Sequence, residues 1–428
     1  MTYHNAIKYI KTAPTTDPNE GTITNRISVL CEALGNPQKK IKYIRLAGNN
    51  GKTVCARMLI SILNNAGITN GCLSMPVYDD VKDNIRINGE PVSMEEIISY
   101  VERLCAAVAS INQSAEEGAT PFKPTVNEIM ICLALLAFTD HDCKLCIIES
   151  DHNSEDPSRF MYAPIAAIIC GRIPDSDIKE ISKIRSYICR GVKEIISAPQ
   201  NQEAYKIISD TCFSVNCRLT LPAKNRFSIT KLSLRGSEFT YKDNEYSLRI
   251  CGKFQTMNAM IAIETAEMLT RHGYVITREN IQNGLAVVVT PCKFEVLAIS
   301  PTIIADSTYA PIAIGAVCDS LADFKEITGT RIRLCLPSGE LIDHFVSALV
   351  GRGYSIEKIS ILTPDNDDAS EYKYSFPTHS FGLVKKVVKN ALEGLDNDCT
   401  LLISGPANFT RTVRYELLDT LGDRKSVV

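Results

Sequence analysis

Gly48-Asn49-Asn50-Gly51-Lys52-Thr53 lies between two stretches of opposite periodicity. Before it, Ile41-Lys42-Tyr43-Ile44-Arg45-Leu46-Ala47 is short, rich in apolar and β-branched residues, and predicts a strand. After it, Val54, Met58, Leu59, Ile62, Leu63 and Ala66 recur at helical spacing, with Gly67 as a stop. A strand, a glycine-bearing turn and a helix opening on Gly-Lys-Thr is the layout that holds nucleotide phosphates. Glycines let backbone N–H groups approach phosphate oxygens, and the helix N-terminus adds partial positive charge. In that reading Lys52 reaches the β- and γ-phosphates and the Thr53 hydroxyl ligates Mg²⁺. Leu46 stands where the full Walker A pattern has its first glycine, so the motif is the shorter G-x-x-G-K-T. The plain alternative is a strand-to-helix turn with a solvated lysine.

The chain has 428 residues, more than one hydrophobic core holds, so two domains are expected. With 45% hydrophobic and 22% charged residues it reads as a globular protein. A net charge of −3 predicts neither a nucleic-acid nor an anionic-membrane partner. No apolar run approaches spanning length and no signal-like segment opens the sequence, so a cytoplasmic location is expected. The 16 cysteines are mostly scattered singly in apolar runs. The single CxxC, Cys143 with Cys146, sits in a strand-like run without a second pair at zinc spacing, so buried, reduced thiols are expected.

Outward from the loop the rhythm alternates. A long apolar helix from about Val126 to Phe138 precedes a strand, Leu145–Ile148, that ends at Glu149; a second apolar strand covers Ile165–Cys170. Near-continuous apolar strands separated by helices predict a mostly parallel sheet. From about Arg218 to Arg249, short alternating stretches predict an antiparallel insertion, followed by a helix over Met257–Leu269. After a hinge-like segment, Pro291–Ile299, strands at Thr302–Ala305, Ile332–Leu336 and Leu401–Ser404 alternate with helices. The fold class expected is thus α/β: a P-loop-type, mostly parallel sheet domain over 1–298 and a smaller Rossmann-like α/β domain over 299–428.

In order along the chain, further fragments resemble one family. Leu34-Gly35-Asn36-Pro37 leads into the phosphate loop; Pro76 and Ile85-Arg86-Ile87-Asn88-Gly89-Glu90-Pro91 are similar to an "SPH…RIRING" loop. Pro124-Thr125 with Glu128, and then Glu149, match two landmarks, and Gly252, Gln255, Asn258 and Ala259 resemble "G-x-x-Q-x-x-N-A". Pro291-Cys292-Lys293-Phe294-Glu295 stands for "PGRxE", Asp306 with Pro311 keeps the spacing of "DxAHNP", and Gly405 falls at a late "TGS" strand. Together they resemble the Mur ligase superfamily, and within it the folylpolyglutamate synthase/dihydrofolate synthase family.

The resemblance implies activation of a carboxylate by ATP as an acyl phosphate, then attack by an amino group, with Mg²⁺ neutralising phosphate charge. The implied substrates are a folate- or pteroate-type acid and L-glutamate, and the implied protein is a monomer. It places Gly48, Asn49, Asn50, Gly51, Lys52 and Thr53 on the phosphates, Thr53 and Glu149 on the metal, and Gln255, Asn258 and Lys293 near the nucleotide. Lys52, Glu149 and Asp306 are the implied catalytic residues. Taken without the family, Glu149 also reads as a strand-end carboxylate, Gln255 and Asn258 as a polar helix start, and Asp306 as a cap.

Several positions depart from the pattern. Ser176 stands for a metal-binding histidine, and Arg185 for a lysine that becomes carbamylated, with Lys183 two residues away. Tyr309 replaces the histidine and Ala310 the asparagine of "DxAHNP"; Lys293 replaces the arginine of "PGR", and Val77 a substrate-loop histidine. These departures imply two alternatives to the folate ligase: a nucleotide-binding relative impaired in turnover, or a ligase for another acid and amine.

Overall fold

The computed structural model describes residues 1–15, 23–48, 50–75, 80–116, 118, 120–149, 164–173, 191–309, 311–363 and 376–422. It divides into two compact units: Met1–Lys224 with Asn258–Leu285, and Asn225–Met257 with Ala286–Val428.

The first unit is built on an eight-stranded sheet. Its strands are β1 (Tyr43–Ala47), β2 (Asn70–Leu73), β3 (Ile85–Ile87), β4 (Glu90–Pro91), β5 (Leu145–Glu149), β6 (Ala166–Ile169), β7 (Glu194–Ser197) and β8 (Arg218–Thr220), in the order β4-β3-β2-β5-β1-β6-β7-β8. From β2 to β8 every pair is parallel; β3 and β4 are added antiparallel at one edge. The segment matched to a substrate loop is therefore a hairpin. Asn88 and Gly89, both at positive φ, form its two-residue turn, the dipeptide such turns favour.

β1, β2, β5 and β6 are buried along their whole length, which is why β5 up to Ile148 and β6 read as continuous apolar runs and not as alternation. Helices α1 (Tyr3–Lys11), α2 (Ile23–Ala33) and α4 (Met94–Gln113) share a core with α5 (Val126–Asp140), in which every residue from Glu128 to Phe138 is buried. Helix α3 (Lys52–Asn65) follows β1 directly. The landmark Thr125 and Glu128 form a capping box on α5: the Glu128 N–H donates to Thr125 Oγ1 at 3.3 Å and the Thr125 N–H to Glu128 Oε2 at 2.7 Å. Arg26 from α2 then donates to both oxygens of the same carboxylate at 3.0 Å.

The second unit holds a three-stranded antiparallel sheet, β9 (Phe227–Ser233), β10 (Gly236–Tyr241) and β11 (Asn244–Leu248), where the insertion is expected. It also holds a six-stranded sheet of β12 (Glu295–Ile299), β13 (Thr302–Asp306), β14 (Arg331–Leu336), β15 (Ser355–Leu362), β16 (Thr378–Phe381) and β17 (Cys399–Ser404), ordered β12-β13-β17-β14-β15-β16. All of its pairs are parallel except β12 with β13. The expected division at 298/299 falls inside β12, whose ladder with β13 ties residues 295–299 to this second sheet. The described cysteines are free thiols, all buried except the half-buried Cys105.

Candidate active site

In the first unit β1 is the point where the parallel sheet reverses its order, with β5 on one side and β6 on the other. Chains leaving the C-terminal ends of such strands part there and open a crevice, the usual ligand position in open α/β sheets. The register sets Leu46 opposite Glu149 and Ala47 opposite Ile169, which brings the phosphate loop, Glu149 and Cys170 to one edge.

The loop has the cradle that phosphates need. Gly48 (φ +111°) runs against β6, and a Cβ there would collide with the Cys170 carbonyl oxygen. Gly51 (φ +85°) precedes α3, and its Cβ would stand 2.7 Å from Asn258 Oδ1. Both positions need left-handed backbone and close approach, which glycine alone supplies without strain. Lys52 is buried, and its ammonium donates to the Gly48 carbonyl at 2.6 Å. Asn49 lies outside the described residues.

Glu149 is buried at the end of β5 and accepts two hydroxyl hydrogen bonds: from Thr53 Oγ1 to Oε2 at 3.1 Å, and from Ser74 Oγ to Oε1 at 2.8 Å. Ser74 was not singled out in the sequence. Its role rests on a partner 75 residues away, for which a single serine gives no sequence signal. A cavity of about 10 Å³, room for one water-sized sphere, lies among Thr53, Ser74 and Glu149, with Arg57 and Arg86 also at its wall. Burial and the Glu149 charge push the neighbouring Cys72 thiol up to about 12, against the opposing charges of Arg57 and Arg86. Mg²⁺ is commonly held by one or two carboxylates together with substrate phosphates, and one carboxylate flanked by two hydroxyls beside a phosphate cradle fits that chemistry. Among the described residues no three His, Cys, Asp or Glu side chains cluster as metal ligands.

Asn258 belongs to this group through its approach to Gly51, and Cys55 Sγ lies 3.8 Å from its Oδ1. Helix α6 (Lys253–Arg271) carries Asn258 in the first unit, while its first residues, with Gln255, belong to the second. There Gln255 is buried and its Nε2 donates to the Lys293 carbonyl at 3.3 Å. Asp306 is buried at the end of β13; its Oδ2 accepts from the Phe294 N–H at 2.6 Å, and its Oδ1 is buried with no hydrogen-bond partner. Burial raises the Asp306 carboxyl above its ordinary range, with the Lys293 charge opposing. Glu295 accepts from the Cys292 N–H at 2.8 Å and pairs with Arg414 through both oxygens at 2.6 and 2.7 Å, pinning the Pro291–Glu295 turn. Cys292, where the resemblance has glycine, keeps a positive φ of +57°.

The sequence-derived residues therefore fall into two groups: Gly48, Asn50, Gly51, Lys52, Thr53, Glu149 and Asn258 in the first unit, and Gln255, Lys293 and Asp306 in the second. Tyr309 is exposed. Pro76, Val77, Ser176, Lys183, Arg185 and Ala310 lie outside the described residues, as does the acidic run Asp365–Asp368. No helix among the described residues is long and apolar enough to cross a membrane.

No family model matches the chain. It is 24% identical over 366 residues to a folylpolyglutamate synthase of Lacticaseibacillus casei, covering 82% of this chain and 83% of that protein. It is 28% identical over 306 residues to a dihydrofolate synthase/folylpolyglutamate synthase of Bacillus subtilis, covering 66% and 68%. Among solved structures, the apo form of the L. casei folylpolyglutamate synthase superposes with a TM-score of 0.79 at 20% identity, over 98% of this chain and all of the other (100%). Mycobacterium tuberculosis folylpolyglutamate synthase complexed with ADP gives 0.78 at 18%, over 97% and 99%. The chain is a divergent relative of the folylpolyglutamate synthase/dihydrofolate synthase enzymes and has their two-unit, Mur ligase-like fold.

Proposed function

We propose that the chain is an ATP-dependent ligase that adds L-glutamate to a folate- or pteroate-type carboxylate through an acyl phosphate. The observation that carries this reading is the placement of Thr53, Ser74 and Glu149 around a one-sphere cavity directly beside the Gly48–Thr53 cradle. The names of the relatives support it, since they are folylpolyglutamate and dihydrofolate synthases, and one matched structure is an AMPPCP–folate complex.

In this reading the backbone N–H groups after Gly48 and the start of α3 bind the phosphates, and Lys52 leaves the Gly48 carbonyl to neutralise the transferring group. Thr53 and Glu149 would hold Mg²⁺, which supplies charge neutralisation on the phosphate oxygens. Ser74 orients the Glu149 carboxylate. Asn258 fixes the turn at Gly51. The substrate carboxylate attacks the γ-phosphorus and ADP leaves; the glutamate amine then displaces phosphate and forms the amide. We assign nucleotide binding to the first unit, and to Asp306, Lys293 and Gln255 of the second a contribution to the same reaction. We further propose a cytoplasmic monomer.

Purified protein supplied with dihydropteroate or tetrahydrofolate should release ADP only when glutamate is present, and Lys52→Ala should abolish that release. ATP binding with silence in every substrate combination favours the impaired relative instead. Tyr309, at the position of the expected histidine, is the observation that keeps that second reading in view.

A further inference from the structure

At the opposite edge of the first sheet, where β1 and β5 begin, the molecule has a cavity of about 410 Å³. That volume falls in the range of small-molecule sites. Five residues of β1 separate it from the phosphate loop, about 16 Å of strand, so it is not part of the site described above. Its wall carries Lys40, Lys42 and Lys144, and its apolar part is made by Phe138, Cys143 and Tyr274.

The charge at this wall is unbalanced. None of the three lysines has an ion pair among the described residues. Asp142 is the one acid lining the cavity, and His272 is already engaged by Glu194 at 3.0 Å. All three lysines are exposed, as surface lysines ordinarily are, but they line a concavity whose wall holds one acid. A concave wall of one sign concentrates its field inside the cavity.

The chain segments that carry the lysines are also fixed. The Cys146 N–H donates to the Lys42 carbonyl at 2.8 Å, the Lys144 N–H to the Thr69 carbonyl at 2.8 Å, and the Tyr274 hydroxyl to the Lys144 carbonyl at 3.0 Å. The backbone under the charges is thus set by the sheet before any ligand arrives, which lowers the ordering cost of binding.

We propose that this cavity is a binding site for a small polyanion, with two or more carboxylate or phosphate groups held by Lys40, Lys42 and Lys144. A single anionic group would leave ammonium groups uncompensated. Phe138 and Tyr274 offer contact for a short apolar spacer between the charges.

The test uses the full chain with two probes, inorganic tripolyphosphate and the tricarboxylate citrate, in calorimetric titrations of the wild type and of Lys42→Gln/Lys144→Gln. The expected result is a saturable site for at least one probe that the double variant weakens about tenfold or more, while ATP affinity at the distant phosphate loop stays unchanged. Added salt should weaken the site further, as for any exposed charge pairing. Whichever probe binds distinguishes phosphate from carboxylate chemistry.

Cys143 gives a local second readout. It lines the cavity, and a hydrogen bond with Cys146 holds its thiol below the ordinary range. The bound probe should slow iodoacetamide alkylation of Cys143 and leave the half-buried Cys105 unchanged. Absence of a site for both probes at millimolar concentration, or equal affinity in wild type and double variant, overturns the proposal.

Discussion

Thr53 and Glu149, 96 positions apart in sequence, are joined by a hydrogen bond of 3.1 Å from the threonine hydroxyl to one carboxylate oxygen. Ser74 donates to the other oxygen at 2.8 Å. The carboxylate is therefore held in one rotamer by two donors from different elements, at the sheet edge where the phosphate loop begins. Such pre-positioning is what a hard cation needs from an oxygen ligand, because reorienting the ligand on binding would cost affinity.

Removing the outer donor should weaken that positioning without removing the ligand. Ser74→Ala is expected to raise the Mg²⁺ concentration needed for half-maximal nucleotide binding about tenfold, the lower end for loss of such a partner. Glu149→Gln, which removes the charge itself, should raise it further. A fluorescent ATP analogue titrated with Mg²⁺ reads both without depending on turnover. Equal Mg²⁺ dependence in Ser74→Ala and wild type would reduce Ser74 to a packing residue.

The glycine cradle makes a separate prediction. Gly48 is at φ +111°, and a Cβ there would meet backbone and not a movable side chain. Gly48→Ala must shift the loop or β6, and is expected to destabilise the first unit by about 1–3 kcal/mol and to weaken nucleotide binding together with it. At Gly51 the obstacle is the Asn258 amide, 2.7 Å away. Pairing Gly51→Ala with Asn258→Ala should therefore recover part of the loss, whereas no single side-chain truncation should rescue Gly48→Ala. Urea unfolding with the four variants tests the contrast.

What the sequence made legible follows from the physics of each signal. The phosphate loop was readable because its strand and helix have opposite periods and meet at glycines. The parallel strands were readable because burial on both faces makes them near-continuously apolar, as in Leu145–Ile148. Ser74 was missed because its role depends on a partner 75 residues away, and a single serine carries no period. The Asn88-Gly89 hairpin was hidden because its strands, Ile85–Ile87 and Glu90–Pro91, are too short to show alternation. Thr125 and Glu128 were noted as landmarks, yet the capping box that explains them is a local rule that their spacing already stated. The domain boundary was drawn within β12, because a strand that pairs with the one after it across a short turn looks like the end of what precedes it.

Asp306 should give the second unit a pH dependence of definite sign. Its native carboxyl is raised above its ordinary range chiefly by burial. Between the unfolded value, about 3.9, and that higher native value, the native state holds a proton that the unfolded state has lost. Its contribution to stability is therefore fully present below the unfolded value and is lost as pH rises through the native one. Asp306→Asn keeps an acceptor for the Phe294 N–H and cannot titrate, so its stability relative to wild type should grow as pH rises from about 4 toward 7. Unfolding curves of the two proteins at several pH values check this. A difference that stays constant across the range would mean that the carboxyl is not perturbed in the native state.

Arg26 and Glu128 provide the last prediction. Both are buried, their guanidinium–carboxylate contact is bidentate at 3.0 Å, and Arg26 also donates to the Lys123 carbonyl at 2.7 Å. Removing the arginine leaves a buried carboxylate without its cation, and such a loss costs about 3–5 kcal/mol. Glu128 has a second duty, since its Oε2 accepts the Thr125 N–H at the start of α5. Glutamine retains that acceptor and carries no charge. Arg26→Met should thus be strongly destabilising, and Arg26→Met/Glu128→Gln should recover a large part of the loss, because the uncompensated charge is gone while the cap remains. Arg26→Met/Glu128→Leu, which also removes the acceptor of the Thr125 N–H while the bond to Thr125 Oγ1 remains, should fall below the glutamine double variant by about 1 kcal/mol, the usual net worth of one hydrogen bond. Urea denaturation of the three variants separates the cost of the stranded charge from the cost of the lost Thr125 N–H acceptor.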